Sequence, residues 1–512
     1  MTQAAAARAE APAAAGGGWL LPLLVLLSGM FMSVLDTSIV NVAIPEMQSV
    51  FGVTADDIEW IATSYTLVLG VIVPISSWLS NRVGQTRLYI AALVAFAAGS
   101  ALCGIAWDLE SMIAFRVLQA IPGGVLPVVT LSMLYQIVPK EKIGSAMGIY
   151  GLGVVVAPAV GPTLGGYLVE YVDWRLIFFI NVPVGVLGAI AAVFLLPPFP
   201  SRPAGRFDLL GFLTIAVGLS SLLLALSEGQ SWGWTAYPTV ILIFLGVVCL
   251  ALFVVIETAV DNPLLDVRVF LVWTYTNSLL LIAVLSVGLF ATLFYIPVYL
   301  QSARGLGAFE AGLLLMPQAF VMAVLMPIAG QLYDRVGARI PAVAGLLIMT
   351  LAGYLMQNLT PVTSQGEIVG LLCLRALGTG LCMMPIMTNG ISAVPPAIVG
   401  SASAFNNVVQ RVSSALGLAA LTAFMTIQQA QLGADRAALV NPAVLPAIGQ
   451  GQAGQVLGTY AVYQQTNVQV YVTALDDVMF LTTLMTGAAV VLALFLRKPS
   501  RAAAGGGPAM VD

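Results

Sequence analysis

Two charged side chains lie inside long apolar runs of the sequence, Asp36 in the run that begins at Leu20 and Arg116 in a later one. A charge in the hydrocarbon of a membrane costs at least about 2.5 kcal/mol, so it faces a cavity or a counter-charge. Arg116 is the natural partner of Asp36 if their segments face each other. Because the chain contains no histidine, a mobile proton must be carried by a carboxylate. We predict that Asp36 and Arg116 form a proton-coupling pair.

Each of these two residues has a second interpretation. Asp36 could be a structural anchor that accepts hydrogen bonds from neighbouring helices. Arg116 could hold a buried hydrogen-bond network without taking part in any switch. The sequence leaves both alternatives open.

The composition excludes a soluble enzyme. Of 512 residues, 60% are hydrophobic and only 8% are charged, whereas soluble domains carry roughly a quarter charged residues. A lipid-facing chain must satisfy its backbone in helices or a closed barrel, and runs such as 240–256 are too uniformly apolar for barrel strands. The four cysteines form no closely spaced pair, and the net charge of -4 is not gathered into a basic stripe. We predict an all-α membrane protein without metal, cofactor or nucleic-acid partner.

Segments long enough to cross the hydrocarbon, roughly 20 residues each, number about fourteen. They are predicted at 20–40, 58–80, 88–107, 111–136, 144–168, 175–197, 209–228, 238–258, 273–300, 309–332, 339–358, 367–392, 401–428 and 478–497. Lys and Arg collect in alternate loops, such as those with Arg82 and Arg335, which the positive-inside rule assigns to the cytoplasm. Both termini, including tails at 1–18 and 499–512, are then cytoplasmic.

Two loops on the predicted cytoplasmic side repeat one pattern. The second copy, which follows span 10, contains Gly330, Asp334, Arg335, Gly337 and Arg339. The first copy, which follows span 2, contains Asn81, Arg82 and Gly84, with Ser77 and Thr86 where the second copy has Gly330 and Arg339. The glycine permits close helix approach, and the acid can pair with an arginine or a helix N-terminus. We predict a gating role for both loops, with the charged device in the second.

Span 5 is rich in residues that bend or thin a helix. Proline removes a backbone hydrogen bond, and small residues let a neighbouring helix approach closely. We therefore predict a bent, closely packed helix at the bundle interface. The residues concerned are Gly148, Pro158, Gly161, Pro162, Gly165 and Gly166.

Together these motifs resemble the major facilitator superfamily. The second loop copy matches its G-x-L-x-D-R-x-G-x-[RK] signature, and 116–120 resembles its R-x-x-Q-G pattern with Ala120 in place of glycine. The stretch 35–45 is similar to L-D-x-T-x-V-N-V-A-L-P of the fourteen-span drug:proton antiporters, the branch with EmrB and QacA. Span 5 resembles the antiporter motif of that branch, with Ala157 replacing one glycine. The matches run from span 1 to span 13 and are closest to EmrB-like multidrug exporters.

The resemblance implies a fold of two six-helix bundles, at 19–200 and 263–498, with two linker spans at 201–262 and an outer loop at about 429–477. Each bundle is expected to be an inverted pair of three-helix units. The outer loop is either a partner surface or a partly ordered cap. A periplasmic adaptor protein is a candidate partner.

The function implied is proton-coupled efflux of small lipophilic or cationic compounds across the inner membrane by alternating access. The alternative is a dedicated metabolite or lipid exporter of the same fold. An enzyme or a sensor would need clustered catalytic groups or a soluble domain, and the sequence shows neither. A channel would not need two gating loops. Candidate substrate-lining residues, most of which could equally be packing residues, are Asn41, Tyr65, Gln119, Phe294, Met316, Met383, Met384, Asn407 and Gln410.

Overall fold

The described part of the chain contains fourteen helices that are long and apolar enough to cross a membrane, which confirms the predicted number of spans. The structure is a computed structural model that describes residues 18–199, 201, 205–439 and 451–496. Apolar runs that are long enough to cross a membrane fold as helices, because only a helix satisfies every backbone group within its own segment. The helices are α1 Leu20–Phe51, α2 Trp60–Val83, α3 Gln85–Gly104, α4 Leu109–Ile137, α5 Ile143–Tyr171, α6 Asn181–Leu195, α7 Leu209–Trp232, α8 Tyr237–Ala259, α9 Trp273–Val298, α10 Ala308–Val336, α11 Arg339–Leu355, α12 Gln365–Ser392, α13 Val399–Leu439 and α14 Gly451–Leu494.

Short helical turns connect several of these helices. Two single α-turns lie at Ala55–Ile58 and Leu176–Phe179, and a π-turn extends α9 at Tyr299–Ala303. The 3₁₀ turns lie at Lys140–Lys142, Val267–Leu271, Met356–Asn358 and Pro396–Ile398. Such short connections reverse the direction of the chain, but only some successive helices, such as α3 with α4 and α7 with α8, pack extensively on each other.

The helices pack as two groups with a hairpin beside them. Helices α1–α6 form the first bundle and α9–α14 form the second. The bundles meet chiefly where α5 packs on α10 and where α13 packs on α2 and α4. Helix α7 packs on α2 and α13, and α8 packs mainly on α7, leaving side chains such as Phe244 exposed on the surface of the molecule. This is the predicted fold of two six-helix bundles with two extra helices.

The two ends of the molecule differ in their loops. We call the end with the α2–α3 and α10–α11 loops the motif end, and the other the opposite end. Helices α13 and α14 are 41 and 44 residues long, which is roughly 60 Å each. They therefore project beyond the hydrocarbon at the opposite end.

The segment expected to be an outer loop at 429–477 is largely helical instead. Helix α13 continues to Leu439 and α14 begins at Gly451. Side chains hold the two extensions together, since Arg436 donates to Gln469 (3.0 Å) and Gln428 donates to Asp477 (3.0 Å). Residues 440–450, the predicted tail at 499–512 and all but the last residue of the predicted tail at 1–18 lie outside the described residues.

Candidate functional site

Asp36 and Arg116 form a buried ion pair in the first bundle. Helices α1 and α4 pack against each other and place the Arg116 guanidinium 2.5 Å from Asp36 Oδ2. The two side chains are 0% and 1% exposed, so neither reaches water in this conformation. An ion pair that is fully buried is stable only if its remaining polar atoms also have hydrogen-bond partners.

Helix α4 itself and two further helices, α3 and α6, supply those partners. Gln119 donates to Asp36 Oδ1 (2.9 Å) and accepts from Arg116 (2.8 Å), which closes a triangle of side chains. Asn181 of α6 donates to Asp36 Oδ1 (3.2 Å) and to Ser100 of α3 (3.1 Å). Gln119 also donates to Ser100 (3.1 Å). The carboxylate thus accepts three hydrogen bonds from two amides and a guanidinium.

Arg116 has an aromatic neighbour on its other side. Its guanidinium carbon lies 3.8 Å from the centroid of the Tyr65 ring, a geometry in which the ring face attracts a cation. Tyr65 is 1% exposed. Tyr65 and Gln119 were expected to line the substrate path, and the structure places both against the ion pair.

This arrangement is able to change with one proton. While Asp36 is ionised, its charge balances Arg116 and the surrounding amides donate to it. A proton on Asp36 removes the counter-charge of Arg116 and converts one acceptor oxygen into a donor. We therefore expect the contacts among α1, α4 and α6 to rearrange on protonation. The role of the pair in proton coupling stays a prediction.

The acid of the second loop copy caps a helix of the other bundle. Asp334, near the end of α10, accepts from the backbone of Gly144 (2.8 Å) and Ser145 (2.9 Å) and from the Ser145 hydroxyl (2.7 Å). These groups form the first turn of α5, where free N–H groups and the helix dipole favour a carboxylate. Of the two expected pairings, the structure shows the one with a helix N-terminus. Asp334 therefore joins the two bundles at the motif end.

The turn glycines of both loop copies have the conformation that requires glycine. Gly84 and Gly337 end α2 and α10 with φ of 92° and 86°, a region that other residues rarely adopt. Arg82, Arg335 and Arg339 are exposed beside them. The repeated spacing thus encodes the same sharp turn twice.

The small residues of α5 divide between two neighbours. A Cβ on Gly148 would lie 2.5 Å from the Met326 carbonyl oxygen on α10. A Cβ on Gly165 would lie 2.8 Å from Ile39 of α1, and one on Gly161 would meet Ser38 of the same helix. Gly166 faces open space, and Pro158 and Pro162 lie within the helix. Helix α5 therefore contacts the second bundle with its motif-end half and α1 with the other half.

The first loop copy makes a related but weaker contact. A Cβ on Gly400, at the start of α13, would lie 2.7 Å from Ser77 Oγ near the end of α2. A Cβ on Gly330 would likewise meet the Gly144 carbonyl oxygen. Ser77 thus stands where the other interface has Gly330. The hydroxyl of Ser401 accepts from the Asp266 backbone (3.2 Å), and no described hydrogen bond joins Asn81 to α13.

A second buried arginine was missed by the sequence analysis. Arg375 in α12 is 4% exposed and donates to the Gly288 carbonyl oxygen of α9 (2.9 Å). Gly288 precedes Pro297 by the same number of residues as Asp36 precedes Pro45. Within the described ranges Arg375 forms no ion pair. The second bundle thus carries a counterpart of the Arg116 site in which glycine replaces the acid, and the shared offset from proline is the signal that would have found it.

The remaining candidate substrate-lining residues differ in exposure. Asn41, Phe294 and Met316 are exposed, the last two at 45% and 43%. Met383 and Met384 are buried in the second bundle. Asn407 and Gln410 are half-buried on α13, where Asn407 donates to the Ser403 carbonyl oxygen (2.9 Å). Their contact with substrate stays a prediction.

Comparisons with known proteins agree with this architecture. Residues 26–418 match the family model of the Major Facilitator Superfamily. The chain is 34% identical over 491 residues to the uncharacterized MFS-type transporter YhcA of Bacillus subtilis, covering 93% of this chain and 92% of that protein. It is 32% identical to the multidrug resistance protein Stp of Mycobacterium tuberculosis, covering 78% and 75%. It is 28% identical to the lincomycin resistance protein LmrB of Listeria monocytogenes, covering 81% and 89%.

Solved structures share the fold at low sequence identity. The proton:xylose symporter XylE aligns with a TM-score of 0.59 at 13% identity, covering 94% of this chain and 96% of XylE. A bacterial homologue of the human lysosomal transporter Spinster aligns with a TM-score of 0.53 at 16% identity, covering 95% and 98%. The family match, the relatives and the fourteen helices lead to one conclusion: the chain is a multi-pass membrane transporter, not an enzyme, and belongs to the Major Facilitator Superfamily.

Proposed function

We propose that this transporter expels small lipophilic or cationic compounds in exchange for protons. The observation that carries the proposal is the buried ion pair of Asp36 and Arg116, enclosed by polar side chains from α3, α4 and α6. The relatives Stp, a multidrug resistance protein, and LmrB, a lincomycin resistance protein, support efflux as the direction of transport. No other group in the described part of the first bundle combines charge, burial and a counter-charge in this way.

In this mechanism the proton and the substrate bias the same equilibrium. With Asp36 ionised, Arg116 and Gln119 hold α1 to α4. A proton on Asp36 weakens that link and favours the alternative packing of the bundle, as any ligand favours the state that binds it better. At the motif end, release of Asp334 from Gly144 and Ser145 separates α5 from α10. Alternation between these two arrangements exposes a site between the bundles first to one side and then to the other.

The proposed location follows from the loop charges. The motif end carries Arg82, Arg335 and Arg339, so we place it in the cytoplasm and the α13–α14 extensions outside the inner membrane. Both termini then lie in the cytoplasm. The paired extensions are the surface on which a periplasmic adaptor would dock. Co-purification with wild type but not with a chain lacking 437–462, which leaves both membrane spans intact, would support that partner.

The test is transport of ethidium, a fluorescent lipophilic cation, in inverted membrane vesicles. We expect wild type to accumulate ethidium only when a pH gradient is imposed. Asp36→Asn keeps a hydrogen-bonding side chain of the same size but cannot ionise, so we expect it to lose gradient-driven transport. Arg116→Ala should lose it as well.

Glu228→Gln is the matched control, since Glu228 lies on α7 outside the bundles and its hydrogen bond is to its neighbour Ser231. This variant should transport as wild type does at equal expression. Uptake that persists in Asp36→Asn at wild-type rate, or without any gradient, would show that the coupling lies elsewhere.

A further inference from the structure

A second carboxylate pair lies on the linker hairpin, outside both bundles. Asp208 precedes α7, and its Oδ1 accepts from the backbone of Gly211 (2.9 Å), which is an ordinary helix N-cap. Glu257 lies near the end of α8 and is 4% exposed. Its Oε2 accepts from the backbone of Leu265 (3.4 Å). Each carboxylate thus uses one oxygen for the local fold.

The other oxygen of each carboxylate has no partner within the described residues. Asp208 Oδ2 and Glu257 Oε1 are both buried without a hydrogen bond. Both lie closer than 3.0 Å to the point that a Cβ of residue 211 would occupy, so they are within about 6 Å of each other, a distance at which two like charges oppose ionisation. A glycine at 211 leaves the space between them open.

A single proton would give both of these oxygens a hydrogen-bond partner. If Glu257 is protonated, its hydroxyl is a donor that can face an ionised Asp208, and one negative charge is removed from a buried position. Without that proton two buried oxygens, each on a charged carboxylate, would face each other without a hydrogen bond. No described Lys or Arg forms an ion pair with either carboxylate. The other carboxylate nearby is Asp266, which accepts from the Arg268 backbone (2.9 Å), while the Arg268 side chain is exposed.

A metal ion fits this site less well. Hard cations take six or more oxygen ligands, and the described residues contain no group of three or more His, Cys, Asp or Glu side chains placed to hold an ion. Two of the four carboxylate oxygens here already accept from backbone N–H groups. The site therefore has room for one shared proton between two oxygens.

The segments next to the pair contact both bundles. Trp78 of α2 donates to the Gly205 carbonyl oxygen (3.3 Å), and its ring lies 4.8 Å from that of Phe207. On the other side the backbone of Asp266 donates to Ser401 at the start of α13 (3.2 Å). The carboxylates sit where the chain leaves one bundle for the hairpin and returns from the hairpin to the other.

We propose that Asp208 and Glu257 form a proton-binding site that joins the α7–α8 hairpin to the segments leading into both bundles. This site is separate from the Asp36 pair and does not depend on the proposed transport reaction. Because this proton is held on the linker, it affects how the hairpin packs against the two bundles at the motif end.

The test uses dicyclohexylcarbodiimide, an apolar reagent that adds to protonated carboxyl groups. Purified full-length protein in nanodiscs is labelled at about pH 7.5, and the modified residues are identified by mass spectrometry. We expect Glu257 to be labelled in wild type. In Asp208→Asn the cap is retained, because asparagine is an equally good N-cap, but the neighbouring charge is lost. Labelling of Glu257 should then fall at least about threefold.

Glu228→Gln, at the other end of α7, should leave Glu257 labelling unchanged. Absence of label on Glu257 in wild type, or equal labelling in Asp208→Asn, would overturn the shared proton. Protection of Glu257 by millimolar Ca²⁺ or Mg²⁺ would overturn it too, since it would show a cation site. None of these readings involves transport, so they are independent of the ethidium assay.

Discussion

At the scale of single residues, the Asp36 site shows how a charge is kept inside a membrane helix. Asp36 has a counter-charge at 2.5 Å and two amide donors, and Arg116 has an acceptor amide and an aromatic face. Removing one member of such a buried pair typically costs about 3–5 kcal/mol because the other charge is left uncompensated. The penalty is a testable property of the pair.

Arg116→Ala should therefore destabilise the protein by about 3–5 kcal/mol. The measurement is thermal or denaturant unfolding in nanodiscs, with Arg268→Ala, an exposed arginine, as control. Adding Asp36→Asn to Arg116→Ala should recover part of the loss, because the orphaned carboxylate is then neutral. Fully additive effects of the two changes would contradict a coupled pair.

Asp108 gives a pH-dependent prediction outside the membrane. It caps α4 and accepts from Ser111 (2.8 Å), and the hydrogen bonds from the Ser111 side chain and backbone lower the pKa of this carboxyl. A group whose pKa is lower in the folded state stabilises above its unfolded pKa. That contribution is lost as the pH falls through the folded value.

Wild type should thus lose stability relative to Asp108→Asn between about pH 5 and pH 2. Asparagine caps the helix equally well but does not titrate, so it isolates the charge. The measurement is the melting temperature of both proteins across this range. Parallel curves would show that the Asp108 cap does not depend on its ionisation.

At the scale of elements, hydropathy alone predicted the fourteen helices because long apolar runs have no other structure available in lipid. The extensions of α13 and α14 were predicted as a loop because they are polar. Gln and Ala are nevertheless good helix formers, and cross-helix bonds such as Arg436 to Gln469 hold the two helices together. Tertiary pairing of this kind leaves no local signal.

The functional site was also predicted only in part. Asp36, Arg116 and Asp334 could be found because a charge in or beside a span is rare and must be paired. Ser100 and Asn181 were not predicted as partners, because a small polar residue in a span has many possible roles. Arg375 was missed because its partner is the carbonyl oxygen of Gly288, and backbone acceptors cannot be read from residue types.

Helix α5 gives an element-scale prediction. Gly148→Ala would place a Cβ within 2.5 Å of the Met326 carbonyl oxygen, so it should force α5 and α10 apart at the motif end and lower transport at least about tenfold. Gly166→Ala meets nothing within 4 Å and is the matched control. The measurement is the rate of ethidium uptake at equal expression. Equal rates in Gly148→Ala and Gly166→Ala would contradict the close approach.

The second bundle gives another element-scale prediction. A Cβ on Gly288 would lie 3.2 Å from the Arg375 guanidinium, so Gly288→Asp should create an ion pair like that of the first bundle. A double-mutant cycle with Arg375→Ala should give a coupling of about 3 kcal/mol in unfolding free energy. Gly288→Asn, of equal size but neutral, should couple much less. Equal coupling for Asp and Asn would show that only size matters at this position.

At the scale of the whole molecule, the two bundles differ in charge and share one closed end. The first bundle holds an acid and an arginine, whereas the second holds an arginine against a backbone carbonyl. At the motif end, Asp334 joins α10 to α5 and Tyr135 of α4 donates to the Thr388 carbonyl oxygen (3.4 Å) of α12. The proposed proton-coupling pair therefore lies in one bundle only, and we expect the movement that it controls to be between the two.

We propose that proton and substrate move in opposite directions through this chain. The direct measurement uses purified protein in liposomes that enclose a pH-sensitive dye, with an ethidium gradient imposed and no initial pH difference. Ethidium flowing out should drive protons in, so the interior should acidify in wild type and not in Asp36→Asn. Ethidium flux without acidification, or alkalinisation of the interior as in symport, would contradict antiport.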